Sequence, residues 1–314
     1  MPPLVSRAQR HGWQPVDPPR RGVLFINPLS GAGRAARCGL ADRARESGVE
    51  PVVLGPGDDL AALAVSAAEN GADALGMAGG DGSLAPVAAV AATHDLPFVC
   101  LPAGTRNHFA LDVGVVRHDL IGALDAFTTG LERRVDLAEV NGRAFLNNVS
   151  LGVYGDAIQQ PGYREAKLRT MLKTINEVLS STLSTPGLRI TDNQGRDHTS
   201  PVVVLVSNNP YALHHPLVRG SRPRLDTGRL GVAVVERPVA QSSPVPAPGE
   251  APPVSVWSAS EVEIAGAATL AAGLDGEAAV LEPPLLCTSR HAALRVRISS
   301  NHPGLSPSAL VSVR

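Results

Sequence analysis

The sequence predicts an α/β domain followed by a mostly β domain, on three observations. Between residues 22 and 101, short apolar runs alternate with stretches of helical length, the pattern of βαβ units around a parallel sheet. Three of those runs end in loops rich in glycine or polar residues. From Arg133 the chain changes to short β-type runs with turns such as Asn141-Gly142 and Asp192-Asn193-Gln194-Gly195.

In order, residues 1–20 carry prolines and charges without periodicity and read as a flexible arm. Val23-Leu24-Phe25-Ile26 is continuously apolar, as in a strand covered on both faces. It ends in Asn27-Pro28-Leu29-Ser30-Gly31-Ala32-Gly33, and a helix from about Arg34 to Ser47 follows. Val52-Val53-Leu54 is a strand stopped by Gly55-Pro56-Gly57, and Asp58 caps a helix running to Asn70. The strand Ala74–Ala78 opens into Gly79-Gly80-Asp81-Gly82-Ser83, then a helix to about Ala92. Pro97–Leu101 is the next strand, ending in Pro102-Ala103-Gly104-Thr105-Arg106-Asn107, and a helix runs from Asp119 to about Gly130. Loops that follow parallel strands share the carboxyl edge of the sheet, where α/β folds place ligands.

Beyond Arg133 the expected strands are Val135–Val140, Ala144–Ser150, Leu188–Thr191, Val202–Ser207, Leu230–Val235, Val254–Ser258 and Glu261–Ile264. One helix, about Arg164 to Leu183, interrupts them. It begins with a basic set, Arg164, Lys167, Arg169 and Lys173, read as a solvated face or as a lip for anionic membrane. Residues 238–253 read as an exposed loop and His214-His215 as loop without zinc spacing. The domain boundaries are 21–136 for the α/β domain, 137–290 for the β domain, and 291–314 for a final strand, Ala293–Ile298, returning toward the first domain with a weak tail.

Composition narrows the function classes. Hydrophobic residues make up 44%, charged residues 18%, and the net charge is −1. That balance suits a globular protein and gives no basic field for nucleic acid. No 18 apolar residues run together and the first residues hold no apolar signal core. Cys38, Cys100 and Cys287 lack metal spacing and read as reduced thiols. The expected location is cytoplasmic.

The loop Gly79-Gly80-Asp81-Gly82-Ser83 carries the chemistry. Its glycines let the backbone form a concave nest of N–H groups at a helix N-terminus, which suits phosphate. Asp81 would repel a phosphate, so it reads either as a helix cap or as a residue handling Mg²⁺ or a hydroxyl. No G-x-x-x-x-G-K-[ST] is present. Gly31-Ala32-Gly33-Arg34-Ala35-Ala36 fits a permissive dinucleotide pattern, but Gly55 stands where the ribose-binding acid belongs.

Asn27-Pro28-…-Ser30-Gly31, Gly79-Gly80-Asp81-Gly82-Ser83 and Pro102-Ala103-Gly104-Thr105-…-Asn107-…-Phe109-Ala110 together resemble the catalytic domain of diacylglycerol and sphingosine kinases. Asn147-Asn148-…-Ser150-Leu151-Gly152, Leu225-Asp226-…-Gly228-…-Leu230-Gly231-Val232 and Asp275-Gly276-Glu277 extend the resemblance over about 22–298. It implies an α/β domain that binds ATP and Mg²⁺, a C-terminal β-sandwich that takes the lipid, and transfer of the γ-phosphoryl group to a lipid hydroxyl. It assigns phosphate contacts to Ser30, Gly31, Gly33, Gly79, Gly80, Gly82 and Ser83. Asn27 lies near the nucleotide, Thr105 and Asn107 line the pocket or form local turns, and Gly104 belongs to the same loop. Asp81 faces Mg²⁺ or the reacting phosphates. Glu277 is the candidate general base, with an acidic turn as the plain alternative, and Asp275 is structural or assists it. Asp226 is a candidate structural Mg²⁺ ligand, and Asp136 is linked to it.

The pattern departs at His108, where many relatives carry Asp in Asn-Asp-Phe-Ala. An imidazole cannot replace a carboxylate around Mg²⁺, so His108 is expected to pair with Asp136 or Asp226. The partners implied are a lipid alcohol and a peripherally contacted membrane, with room for a homodimer. The alternatives are a kinase of a soluble acceptor such as NAD, and a non-catalytic nucleotide-binding regulator.

Overall fold

The structure, a computed structural model, describes residues 11–152, 187–199, 201–212, 220–236, 254–266 and 269–312. The helix expected near 164–183 with its basic residues, the loop 238–253 and His214-His215 lie outside these residues. The chain divides into two compact units: 1–137, 211–228 and 290–314 form the first, and 138–210 with 229–289 the second. The expected boundary at 136 falls within one residue of this division. Residues 211–228, expected in the β domain, belong instead to the first unit.

In the first unit, β1 is Gln14–Pro15 and β2 is Gly22–Ile26. Then follow α1 (Arg34–Arg37), α2 (Leu40–Glu46), β3 (Glu50–Val53), α3 (Leu60–Glu69), β4 (Ala74–Gly79), α4 (Asp81–Thr93), β5 (Pro97–Pro102), α5 (His108–Asp112), α6 (Leu120–Leu124) and β6 (Gly130–Val140). Strands run in the order β3-β2-β4-β5, all parallel, and residues 295–297 of β17 (Leu285–Ser299) join β5 in parallel. β2, β4 and β5 are buried at every position, which is why they read as unbroken apolar runs.

Three local expectations change. The helix expected from Arg34 to Ser47 is two pieces, because Gly39 takes φ +61° and breaks the ladder. Asp59 caps α3 by accepting from Ala61 and Ala62 N–H, while Asp58 accepts from Gly55 N–H in the preceding turn. α6 ends at Leu124 in a short 3-10 turn.

Residues 11–20 are not a loose arm. Trp13 is 1% exposed and its indole donates to Gly304 O at 2.8 Å, while β1 pairs with residues 131–132 of β6. The tail is also packed: His302 and Ser306 are buried ahead of α7 (Pro307–Ser312), and Ser308 is buried within it. Trp13→Ala should cost ~3–5 kcal/mol in denaturant unfolding, the range for removing a buried Trp. A change below about 1 kcal/mol would mean that this contact is loose.

In the second unit, β8 (Asn148–Gly152), β11 (Pro201–Asn208), β12 (Leu230–Glu236), β13 (Val254–Ala259), β15 (Leu270–Leu274) and β16 (Glu277–Leu281) form an antiparallel sheet, β13-β12-β11-β8-β15-β16. A second antiparallel layer joins β10 (Asp197–Thr199), β9 (Arg189–Asp192), β14 (Glu261–Ala265) and residues 285–288 of β17. β7 (Arg143–Phe145) pairs with residues 138–140 of β6. Val149, Leu151, Val204 and Val206 of the first layer share one core with Ile190, Val262 and Ile264 of the second. β14 shows the cause in miniature: Val262 and Ile264 turn inward while Glu261 and Glu263 face out. Cys100 and Cys287 are buried, and burial pushes the Cys287 thiol up to about 12, so it is inert at neutral pH.

Candidate nucleotide site

Three loops leave the first unit's sheet at the same level. Ile26 pairs with Ala78 and Gly79 with Pro102, so the chain exits β2, β4 and β5 side by side. Asn27 N–H donates to Ala78 O at 3.0 Å, extending the ladder into the loops, and Gly104 N–H donates to Gly79 O at 3.0 Å.

Glycines set how close these loops come. Gly31 takes φ +56°, and a Cβ on it would lie 2.2 Å from Ala103 O. A Cβ on Gly104 would lie 2.5 Å from Gly80 Cα and 2.9 Å from Asn107 Oδ1. Backbone meets backbone at both points with no room for a side chain. Asn27 Nδ2 reaches Ser83 Oγ at 3.5 Å, and its Oδ1 accepts from Leu29 N–H. The first turn of α4, from Asp81 through Ser83, therefore opens among the three loops. The leading amides of a helix have no intrahelical partner and carry the positive end of its dipole. Ser30, Gly31 and Gly33 form the turn that leads into α1, and Gly33 N–H bonds Ser30 O.

Asp81 serves a structural end that the loop pattern did not reveal. Its carboxylate accepts from Phe109 N–H at 3.1 Å and His108 N–H at 3.2 Å, capping α5, and contacts His108 Nδ1 at 3.5 Å. Burial works to raise its pKa; the His108 ring and the two amides outweigh that and hold it below the usual 3.8. A carboxylate with a depressed folded pKa stabilises above its unfolded pKa and loses that contribution as pH falls. The stability gap between wild type and Asp81→Asn should therefore be full above about pH 5, close as pH falls below about 4, and be visible in thermal melts. A gap that stays constant down to pH 2 would contradict this.

Asn107 is buried, takes φ +53°, and its Nδ2 donates to Pro102 O, Gly104 O and Arg117 O. Of the two alternatives for Asn107, the local turn is what the bonds show. Thr105 is exposed on the same loop.

His108 pairs with Asp81, and the two acids proposed for it have other partners. Asp136, fully buried, accepts from Gly228 N–H, Ala292 N–H and His291 Nδ1. Asp226 contacts Arg224 at 2.9 Å and Arg133 at 3.3 Å. Burial opposes its ionisation, but Arg224 and Arg133 lower its pKa overall. Two guanidinium groups stand where a cation would need oxygen donors. Among the described residues no three His, Cys, Asp or Glu side chains group as a metal site. The donors around Asp226 thus do not fit Mg²⁺.

Arg222 was missed in the sequence. Its Nε and N–H donate to Asp112 at 2.7 and 2.9 Å, and both side chains are buried. Burial pushes Asp112 up, and Arg222 offsets part of that. This pair fastens the segment around Arg222 to α5. Residues 110 positions apart leave no local pattern to read.

In the second unit, Asp275 and Gly276 join β15 to β16 with φ +50° and +87°, a two-residue hairpin of primed type. Asp275 accepts from Leu146, Asn147 and Asn148 N–H at 2.7–3.1 Å, and its own N–H donates to Asn148 O. It is the structural member of Asp-Gly-Glu. Glu277 opens β16 opposite Leu274 and is exposed.

Residues 21–140 match the diacylglycerol kinase catalytic domain family. The chain is 34% identical over 122 residues to a diacylglycerol kinase of Mycobacterium tuberculosis, covering 38% of this chain and 40% of that one. It is 32% identical over 123 residues to a diacylglycerol kinase of Bacillus subtilis, covering 38% and 39%. The chain thus spans about two fifths of the length of these curated relatives. A solved structure described as a diacylglycerol kinase from Bacillus anthracis strain Sterne superposes with a TM-score of 0.59 over 88% of this chain and 96% of its own, at 18% identity. A second structure from that strain reaches 0.67 over 90% and 96%, also at 18% identity. The structural likeness extends the shared fold across both units, and the sequence match lies on the loops that build the site. The sequence resemblance to diacylglycerol kinase catalytic domains thus covers residues 21–140 of this chain.

Proposed function

We propose that this chain is an ATP-dependent lipid kinase that transfers the γ-phosphoryl group to the hydroxyl of diacylglycerol or a related lipid alcohol. The observation that carries the reading is the backbone-only approach of Gly31 to Ala103 and of Gly104 to Gly80, inside the segment shared with diacylglycerol kinases. Loops without side chains at their contacts let phosphate oxygens reach amide N–H groups.

Phosphoryl transfer asks for positioning, charge neutralisation and a proton acceptor near the attacking hydroxyl. The amides of Gly80–Gly82 and of Gly31 and Ala32 bind the triphosphate, with Asn27 beside them. Asp81 keeps the third loop in register by capping α5. Mg²⁺ arriving with ATP would neutralise charge on the phosphates; among the described residues the acids do not group into a site for it. Glu277 takes the proton of the acceptor hydroxyl. The acceptor oxygen bonds to the γ-phosphorus as the bond to the β–γ bridging oxygen breaks, and that electron pair leaves on ADP. Asp275 holds the hairpin from which Glu277 projects.

A lipid acceptor brings the chain to a bilayer. No described helix is long and apolar enough to cross one, and with a net charge of −1 the contact is peripheral and weak. The test offers ATP-Mg²⁺ with a panel of lipid alcohols in mixed micelles and, separately, NAD without detergent. Phosphorylated lipid alone supports the proposal. Phosphorylated NAD would replace it with a soluble-acceptor kinase, and nucleotide binding without turnover on any acceptor would replace it with a regulator.

A further inference from the structure

We propose that His108 is a nucleotide-contacting residue, its imidazole held against Asp81 through Nδ1 and offering Nε2 to an oxygen of the β- or γ-phosphate. This rests on the reading of the three loops as a nucleoside triphosphate site.

Four observations place it. Asn107, in left-handed conformation and tied down by three carbonyls, sets the corner from which His108 projects. The His108 amide and ring both meet Asp81 Oδ2, at 3.2 and 3.5 Å. Asp81 directly follows Gly80 and begins α4, so the ring is joined to the helix start that the proposed function reads as the phosphate site. Finally, the His108 side chain is 40% exposed although Asp81 is only 9% exposed. Among the described residues none bonds Nε2.

The chemistry follows from the ring. A carboxylate against one nitrogen fixes the orientation of an imidazole and presents the other nitrogen. An imidazolium donates from both nitrogens. It would then stand between two anions, Asp81 on the Nδ1 side and a phosphate on the Nε2 side. An Asp here would set a second carboxylate against Asp81 and could not donate to a phosphate when ionised. The departure from Asn-Asp-Phe-Ala therefore exchanges a carboxylate, which can only accept when ionised, for a ring whose nitrogens can donate.

The test measures binding without any acceptor, by titration calorimetry of the full chain with ATP and with AMP. Wild type, His108→Leu and His108→Gln are compared, with thermal melts as the fold control. A charge-assisted hydrogen bond is worth about 1.5–3 kcal/mol, so His108→Leu should weaken ATP binding roughly 10- to 100-fold. AMP, which lacks the β- and γ-phosphates, should bind within about twofold of wild type. His108→Gln keeps an N–H donor and should recover part of the loss. Equal weakening of ATP and AMP, in either variant, would show that His108 only supports Asp81 and would overturn the proposal. Unchanged ATP binding would overturn it as well. If wild type binds neither nucleotide, the reading of the loops falls together with that of His108, whereas wild-type binding with either other outcome removes His108 alone.

Discussion

Gly80→Ala should weaken ATP binding at least ~10-fold while leaving the protein as stable as wild type. Gly80 has φ −85° and ψ 172°, a conformation open to any residue. A Cβ there would meet only Gly104 Cα, at 3.8 Å, an ordinary contact. The fold does not need a glycine at this position, so a requirement for one would come from the ligand. A methyl group in the path of a phosphate should raise the ATP Kd at least ~10-fold, about 1.4 kcal/mol, with melting unchanged within about 2 °C. Gly104→Ala is the contrasting case. Its Cβ would press on Gly80 Cα and Asn107 Oδ1, so it should lose ATP binding and also about 1–3 kcal/mol of stability, the usual cost of overpacking. If Gly80→Ala binds ATP as wild type does, the phosphates do not approach this backbone.

Glu277→Gln should lower phosphoryl transfer by about 10²–10⁴-fold, the range for losing a general base, with ATP binding unchanged. Glu277 is exposed, so the substitution costs the fold little. Its neighbour Asp275 behaves in the opposite way. Asp275→Ala would leave the amides of Leu146, Asn147 and Asn148 without their shared acceptor, a loss of at least about 1–3 kcal/mol. Activity lost in Glu277→Gln at full stability separates a chemical role from a structural one. Full activity in that variant would return Glu277 to the status of a turn residue.

The parts of the fold carried by local pattern were legible in advance. Val23–Ile26 and Ala74–Ala78 are continuous apolar runs, and they are fully buried parallel strands. Glu261-Val262-Glu263-Ile264 alternates, and it is a half-buried antiparallel strand. What escaped is what depends on distant partners. Trp13 reads as part of an arm until Gly304, 291 positions on, accepts its indole N–H. Residues 211–228 read as part of the β domain because nothing local announces the Arg222–Asp112 pair. The site divides in the same way. The glycines mark the loops, since closeness of backbone requires them. The direction of a carboxylate is not written in its motif: Asp81 turns to amides 27 and 28 positions on, Asp136 to the loops at 228 and 292, and Asp226 to two arginines.

Lipid phosphorylation, the activity proposed for this chain, has a direct chemical readout. The most direct measurement is recovery of label from γ-labelled ATP in the organic phase after incubation with Mg²⁺ and diacylglycerol in mixed micelles. The account predicts a labelled lipid phosphate that is lost in Gly80→Ala, through binding, and in Glu277→Gln, through chemistry. Label that stays in ATP with every lipid alcohol offered, while ATP is bound, would contradict it.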